Sequence, residues 1–317
     1  MTQTRWLEAL AGNQVYLYGL ENLLKESLET EGNYSIAQLS KELKVNPRNL
    51  YYWLEGKKPV PLDSLLVLMG RFESLNSDNI EASLRFVSFG SGPRKRECYL
   101  PFKLTPELAY LVGYAFGDGY LNSKDWTIGF CDEYDSQISL IKEILESQFK
   151  VKTVKKRFQN KTELHAYSKG LWLYLNKVFD FPAGEKKGRL KVPNLINNSN
   201  AAIQKEFVKG FFDADGGVPR IEEYDKIPTW MEKKPQISLS QASEGILLDL
   251  KDLMYNFKLN TEGPFHNRAN KGYSITLTGV NKIRQCHDFQ LFRHPVKRER
   301  LGKLASIAQR QCAALVT

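Results

Sequence analysis

The chain of 317 residues carries 45 Lys and Arg against 36 Asp and Glu, a formal net charge of +9. That length allows two or three modest cores; no run of eighteen apolar residues offers a membrane span, and no charged-then-apolar leader follows Met1-Thr2-Gln3, so an intracellular protein is expected. The four cysteines, Cys98, Cys131, Cys286 and Cys312, stand far apart without CxxC spacing, which argues against a zinc site or a disulfide framework and for reduced thiols.

The charge is unevenly placed. Residues 1–90 hold 9 Lys and Arg against 11 Asp and Glu, a net of −2, so residues 91–317 carry +11. A polyanion such as nucleic acid is the natural partner of that part, although a basic excess also serves solubility. From the N-terminus, residues 14–75 read as helical. Within them Ser35-Ile-Ala-Gln-Leu-Ser-Lys-Glu-Leu43, Lys44-Val-Asn-Pro47 and Arg48-Asn-Leu-Tyr-Tyr-Trp-Leu-Glu55 spell helix, short turn, helix. The pattern resembles a Cro/repressor-like helix-turn-helix, which would turn Arg48, Asn49, Tyr52, Lys57 and Lys58 toward a groove or its phosphates. A small helical bundle that contacts protein or the domain downstream is the alternative, and the −2 charge favours it. Residues 1–75 are expected as this all-α domain. Residues 76–100, polar and Gly/Ser-rich with Arg94-Lys-Arg96 near their end, are expected as a linker.

Next come two related stretches, Leu111-Val-Gly-Tyr-Ala-Phe-Gly-Asp-Gly119 and Val208-Lys-Gly-Phe-Phe-Asp-Ala-Asp-Gly216. Each places small residues four apart on an apolar segment that ends in Asp-Gly. In a helix, Gly113 and Gly117 share one face, as do Gly210 and Ala214, so two such helices can pack backbone to backbone. Close packing would bring Asp118 and Asp215 together. Two carboxylates held that near call for a positive charge between them, and a hard divalent cation is the usual solution.

The segments after the two acids are similar in kind. A strand-like Trp126-Thr-Ile-Gly-Phe-Cys131 and an amphipathic Gln137–Leu145 come after the first; Gln236-Ile-Ser-Leu-Ser240 and Gly245–Met254 come after the second. Each half then has a basic, turn-rich stretch, a strand around Glu163–Tyr167 or Tyr273–Leu277, and a helix over Leu171–Val178 or Asn281–Cys286. The expected fold class is α+β, a tandem pseudo-two-fold αββαββα arrangement over residues 101–200 and 201–317, preceded by the small all-α domain.

From about Pro101 to Leu304 the chain resembles the LAGLIDADG homing endonucleases in their single-chain, two-motif form. Val208 to Gly216 ends in the family's Asp-Ala-Asp-Gly, its companion ends in Gly-Asp-Gly, and Lys191-Val-Pro193 and His294-Pro-Val-Lys297 look like the segments after the second helix of each half. The resemblance implies that the penultimate acids, Asp118 and Asp215, bind the catalytic metal, and that Asp213 serves the helix end instead. One departure is Phe116, which stands where the family name has its first acid. The resemblance further implies Mg²⁺, with Mn²⁺ as a substitute, and a staggered double-strand break across the minor groove. It suggests Gln241 as the water-ordering glutamine of the second half, with Cys131 at that place in the first, and Lys187 and Lys297 as the basic residues.

The same resemblance lays double-stranded DNA on the strands of both halves. Lys152, Lys155, Lys156, Arg157, Lys161, Arg220, Lys226, Lys233, Lys234, Arg268 and Lys271 are the basic residues of those strands and turns. With both halves in one chain, a monomer is expected. The runner-up is a DNA-binding transcription regulator or an intron RNA-splicing maturase on the same scaffold. The four histidines show no HExxH spacing, Gly184-Glu-Lys-Lys-Gly188 is wrongly ordered for a P-loop, and the ends at Met1 and Ala314-Leu-Val-Thr317 speak against an intein.

Overall fold

The computed structural model describes residues 2–31, 34–90, 97–221, 234–267 and 272–314, the last five of these as backbone only. Lys226, Lys233, Arg268, Lys271, the Arg94–Arg96 cluster and the Cys312 side chain lie outside the described residues. Among those described, no helix is long and apolar enough to cross a membrane.

The N-terminal part opens with α1 (Trp6–Ala9), β1 (Val15–Tyr18), α2 (Glu21–Thr30), α3 (Ile36–Glu42) and α4 (Pro47–Leu54). The helix, turn, helix reading of residues 35–55 corresponds to α3 and α4. A capping box joins Ser35 and Gln38 at the start of α3, while the Asn46 side chain accepts from Arg48 N and Pro47 opens α4. Beyond them lie β2 (Val60–Pro61), α5 (Leu62–Met69), α6 (Ser77–Ser83), β3 (Phe86–Phe89) and β4 (Glu97–Cys98).

Two expectations are corrected here. Residues 14–75 are not wholly helical, because Val15-Tyr-Leu-Tyr18 alternates buried and half-buried residues and pairs antiparallel with β2 and β3 in a sheet of order β2-β1-β3-β4. The expected linker contains α6, capped by Asn76, and β3, held by apolar residues of the stretch that are buried, Ile80, Leu84 and Val87 among them. The N-terminal part is not separately cored either. Thr4 N donates to Phe102 O at 2.8 Å, Thr4 Oγ1 donates to Pro101 O at 2.7 Å, and Trp6 stacks edge-on to Phe102 at 5.0 Å. One continuous cluster of buried side chains runs through both parts.

The first half consists of α7 (Pro106–Asp118), β5 (Tyr120–Asn122), β6 (Thr127–Asp132), α8 (Asp135–Phe149), β7 (Thr153–Arg157), β8 (Thr162–Tyr167) and α9 (Lys169–Val178). After α10 (Asn194–Asn197), the second consists of α11 (Ala201–Asp215), β9 (Gly216–Gly217), β10 (Gln236–Gln241), α12 (Glu244–Asn256), β11 (Glu262–Asn267), β12 (Gly272–Thr278) and α13 (Val280–Asp288), with α14 (Pro295–Ala314) behind it. The sheets have equivalent orders, β5-β6-β8-β7 and β9-β10-β12-β11. The α+β class and the doubled αββαββα order are therefore present. Thr105 caps α7 and Asn200 caps α11, which fixes where both helices begin.

Candidate functional site

The site is built on the crossing of α7 and α11. A Cβ at Gly113 would lie 2.1 Å from Phe207 O, and one at Gly210 would lie 2.0 Å from Tyr110 O, so only hydrogen fits between the two backbones. At Gly117 a Cβ would meet the Ala214 Cβ at 2.3 Å and Asp215 Oδ2 at 3.1 Å. The stripe of small residues thus delivers the second acid onto the end of the first helix. Both helices stop at a glycine for a steric reason, not a left-handed one. Gly119 and Gly216 are extended, and a Cβ would strike Ala115 O at 2.6 Å or Phe212 O at 2.5 Å.

The two acids share a largely dehydrated environment. Burial, and then the nearby Asp215, push the Asp118 carboxyl up to about 7. Burial also raises Asp215, opposed by Gln241, whose Nε2 donates to Asp215 Oδ2 at 2.6 Å, and by the two nearby lysines. Each lysine closes the C-terminal end of a helix, where carbonyls lack partners and the dipole is negative. Lys186 Nζ donates to Phe116 O at 3.2 Å and to Gly117 O at the end of α7. Lys297 Nζ donates to Phe212 O, Asp213 O and Ala214 O at the end of α11, the last at 3.0 Å. Burial lowers both ammonium groups and the aspartates oppose it.

The lysines cross over between halves. Lys297, from the second half, is the cation that weighs most on Asp118, whereas Lys186, from the first, weighs most on Asp215. An open cleft of about 490 Å³ reaches the first acid and is lined by Asp118, Asp132, Lys161, His294 and Lys297 among others.

Two of the expected site residues are replaced by a neighbour. Lys187 is exposed, and it is Lys186 that points at the helix end. The sequence offers two adjacent lysines, and the turn made by Gly188, at φ +70°, helps decide between them. Cys131 is likewise not the counterpart of Gln241. Ser238 pairs with Gly217 as Gly129 pairs with Tyr120, so the strand register sets Gln241 opposite Asp132. Alternation agrees, because Ile237, Leu239 and Gln241 share a face as Ile128, Phe130 and Asp132 do. That parity was readable in the sequence. Asp132 accepts from Tyr114 OH at 2.8 Å and Tyr134 N at 2.7 Å, and lies 3.6 Å from His294 Nε2. Burial alone would raise this acid, but His294, Tyr134 N and Tyr114 together outweigh it and hold it below the usual carboxylate range.

Asp213 is turned away from the cleft. Its Oδ2 accepts from Tyr110 OH at 2.6 Å, Arg293 N at 3.0 Å and His294 N at 2.9 Å, tying α11 to α7 and to the turn before α14. Burial pushes its carboxyl up to about 6. Near the helix ends, the donors that suit a hard cation are carboxylate oxygens. Among the described residues, no group of three or more His, Cys, Asp or Glu converges as a metal cluster.

The basic strand residues divide between two faces. Lys155 Nζ reaches Asp135 at 2.8 Å and Ser139 at 3.1 Å, and Arg157 reaches Asp135 at 3.2 Å, so both turn toward α8 instead of the open sheet face. Lys156, paired with Glu163 in the ladder, stands on the open face beside Tyr120, His165 and Tyr167. Lys161 pairs with Glu163 at 2.7 Å at the rim of the cleft. Lys152, Arg220 and Lys234 are exposed. On α4, the Arg48 guanidinium lies 5.2 Å over the Tyr52 ring and Lys58 Nζ 4.8 Å, with Lys58 also donating to Asn49 Oδ1 at 3.2 Å. Lys57 pairs with Glu55 at 2.6 Å.

Residues 202–287 match the LAGLIDADG-like domain family. The chain is similar to elongation factor 2 of Methanopyrus kandleri, 25% identical over 296 residues that make up 92% of this chain and 21% of that protein. It is similar also to the tRNA-splicing ligase RtcB of Pyrococcus furiosus, 23% identical across 62% of this chain and 22% of that one. A third relative is the probable translation initiation factor IF-2 of Methanocaldococcus jannaschii, 22% identical across 72% and 19%. The chain spans about a fifth of the length of these relatives. Among solved structures, variants of the homing endonuclease I-DmoI align with a TM-score of 0.45 and 15% identity over 62% of this chain and 97% of theirs. Full-length DUF199/WhiA from Thermatoga maritima aligns with a TM-score of 0.44 and 12% identity over 67% and 63%.

Proposed function

We propose that this chain, with its LAGLIDADG-like domain, is a site-specific DNA endonuclease that makes a staggered double-strand break, hydrolysing one phosphodiester in each strand. The observation that carries the reading is the placement of Asp118 and Asp215 at the ends of two helices whose backbones touch, each acid offset by a lysine of the other half. In each strand, water oxygen bonds to phosphorus, the bond from phosphorus to one sugar oxygen breaks, and that oxygen leaves with a proton.

Asp118 and Asp215 fit a hard divalent cation. Both offer carboxylate oxygens, and the like charge that now raises Asp118 is what such an ion relieves. Mg²⁺, or Mn²⁺ in its stead, when bound there supplies Lewis acidity toward the phosphoryl oxygens and a more acidic water. The chain's own part is to orient and to neutralise. Gln241 fixes the Asp215 carboxylate, and Lys186 and Lys297 set positive charge where negative charge grows on the phosphate. Lys156, Lys161, Arg220 and Lys234 would hold the backbone of the duplex, and Arg48, Asn49 and Tyr52 of α4, with Lys58 just after it, a further stretch. One chain supplies both half-sites, so the working form is a monomer. The relatives bear on this indirectly. The stretch that matches this chain is about a fifth of an elongation factor, a tRNA-splicing ligase and a probable translation initiation factor, so the similarity is not tied to one of these activities.

Incubating the purified chain with Mg²⁺ and a library of long duplexes, then sequencing the ends, tests the reading. Staggered ends at one recurrent sequence support it. Specific binding with both acids intact and no cutting would favour the transcription regulator, and preferred binding of structured RNA the maturase.

A further inference from the structure

Lys186 is held by a side chain of the opposite half, and Lys297 is tied to the opposite half through His294 of its own. Ser243 occupies the position before α12 where a serine ordinarily accepts from the first helical turn, yet it makes no such bond. Its hydroxyl, 1% exposed, accepts from Gly188 N at 2.7 Å and donates to Lys186 O at 3.2 Å, clasping the turn that carries Lys186. The register that equates Gln241 with Asp132 equates Ser243 with Tyr134, and there the clasp is built differently. His294 stands before α14, and its Nδ1 accepts from Lys297 N at 3.4 Å. That leaves Nε2 to carry the hydrogen, and it faces Asp132 Oδ1 at 3.6 Å while the ring lies edge-on to Tyr134 at 5.1 Å. Lys297 is thus tied to β6 through His294, as Lys186 is tied to the start of α12 through Ser243.

We propose that Ser243 and the Asp132–His294 pair are positioning residues, each setting one lysine for one strand of the duplex, so that losing a single clasp converts a double-strand cutter into an enzyme that nicks one strand. The nicking consequence rests on the endonuclease reading above and adds no chemistry to the hydrolysis already written. The two clasps share no atom. Each lysine also bonds the end of a different helix, Lys186 that of α7 and Lys297 that of α11. Loss of either should therefore act on one half-site and spare the other.

The test uses the full chain and a duplex labelled separately on each strand. Lys186→Met and Lys297→Met first assign a strand to each lysine. Ser243→Ala is expected to slow the Lys186 strand on the order of tenfold or more and leave the other within about twofold, with rescue by Ser243→Thr. Asp132→Asn and His294→Gln are expected to slow the Lys297 strand. Equal slowing of both strands, or of the wrong strand, overturns the proposal.

A second measurement needs no cleavage. Trace acetylation of the folded chain, read by mass spectrometry, should show Lys186 labelled several-fold faster in Ser243→Ala with Lys297 unchanged, and the reverse in Asp132→Asn. Lysines that change together or not at all overturn the clasps. A wild-type chain that cuts no duplex overturns the endonuclease reading and the nicking consequence, and the labelling then decides the clasps by itself.

Discussion

Tyr110 of α7 donates its hydroxyl hydrogen to Asp213 of α11 at 2.6 Å and accepts from Gln137 Nε2 at 2.8 Å, so one buried phenol joins the two crossing helices to α8. Tyr110→Phe keeps the ring and leaves the Gln137 amide and Asp213 each short of a partner. Destabilisation of about 1–3 kcal/mol is expected, since the stranded groups are buried. A lower urea midpoint at unchanged slope would show it.

The touching backbones make a sharper case. Gly210→Ala puts a methyl group 2.0 Å from Tyr110 O and 2.9 Å from Tyr114 N, which no rotamer relieves. A loss on the order of 3 kcal/mol or more is expected, together with cleavage. Gly302→Ala in α14 is the control, because nothing lies within 4 Å of its added Cβ. It should be neutral or up to about 1 kcal/mol more stable. Thermal melts of both variants decide the matter.

Asp118→Asn and Asp215→Asn should each reduce double-strand cleavage by at least a factor on the order of a hundred. Binding should persist or tighten, because a negative charge that faces the phosphates is gone while the helix end keeps its shape. Titration with Ca²⁺ for binding and Mg²⁺ for cleavage separates the two effects. A variant cutting both strands at the wild-type rate would sink the two-aspartate mechanism.

In chelator, the Asp118 carboxyl, pushed up to about 7, keeps its proton in the folded chain at pH values where the unfolded chain, near 3.8, has lost it. The folded state then binds more protons, so stability falls as pH rises from about 4 to about 7. Asp118→Asn removes that penalty. The variant should exceed the wild type most at pH 8 and progressively less toward pH 4, by no more than about 4 kcal/mol. An advantage that does not change with pH would refute the assignment.

On the sheet surface, Lys156→Ala and Lys234→Ala should each lower the slope of log affinity against log salt by about 1, as expected when one phosphate is no longer neutralised. Lys155→Ala should leave the slope nearly unchanged, because Asp135 and Ser139 already hold its ammonium against α8. Equal slopes for all three would place the duplex elsewhere.

The helix crossing was legible because its signal is local. Gly113, Gly117, Gly210 and Ala214 recur at helical spacing, and the acids come directly after them. Lys186 was missed beside Lys187 because adjacent residues of a turn differ only in where the chain sends them, and the Gly188 turn and the Ser243 clasp that decide it come from tertiary contacts. Asp132 was missed for another reason. Its alternation with Ile128 and Phe130 points to the helix side, but Cys131 stands next to it, and the strand pairing that makes Asp132 the counterpart of Gln241 is a tertiary feature. In the N-terminal part, Val15–Tyr18 was absorbed into a helical reading because its partner, Phe86–Phe89, lies about seventy residues on inside a polar stretch.

Where Phe207 O and Tyr110 O lie against the α-carbons of Gly113 and Gly210, the spacing of the two helices is set by the thickness of the polypeptide itself. Side chains enter the crossing where the Ala214 methyl group lies against Gly117. A conservative change at Phe130, Leu164, Leu239 or Ile275, none of which stands between those two backbones, should therefore leave the gauge between Asp118 and Asp215 in place. The distance between the two acids is thus written in the main chain.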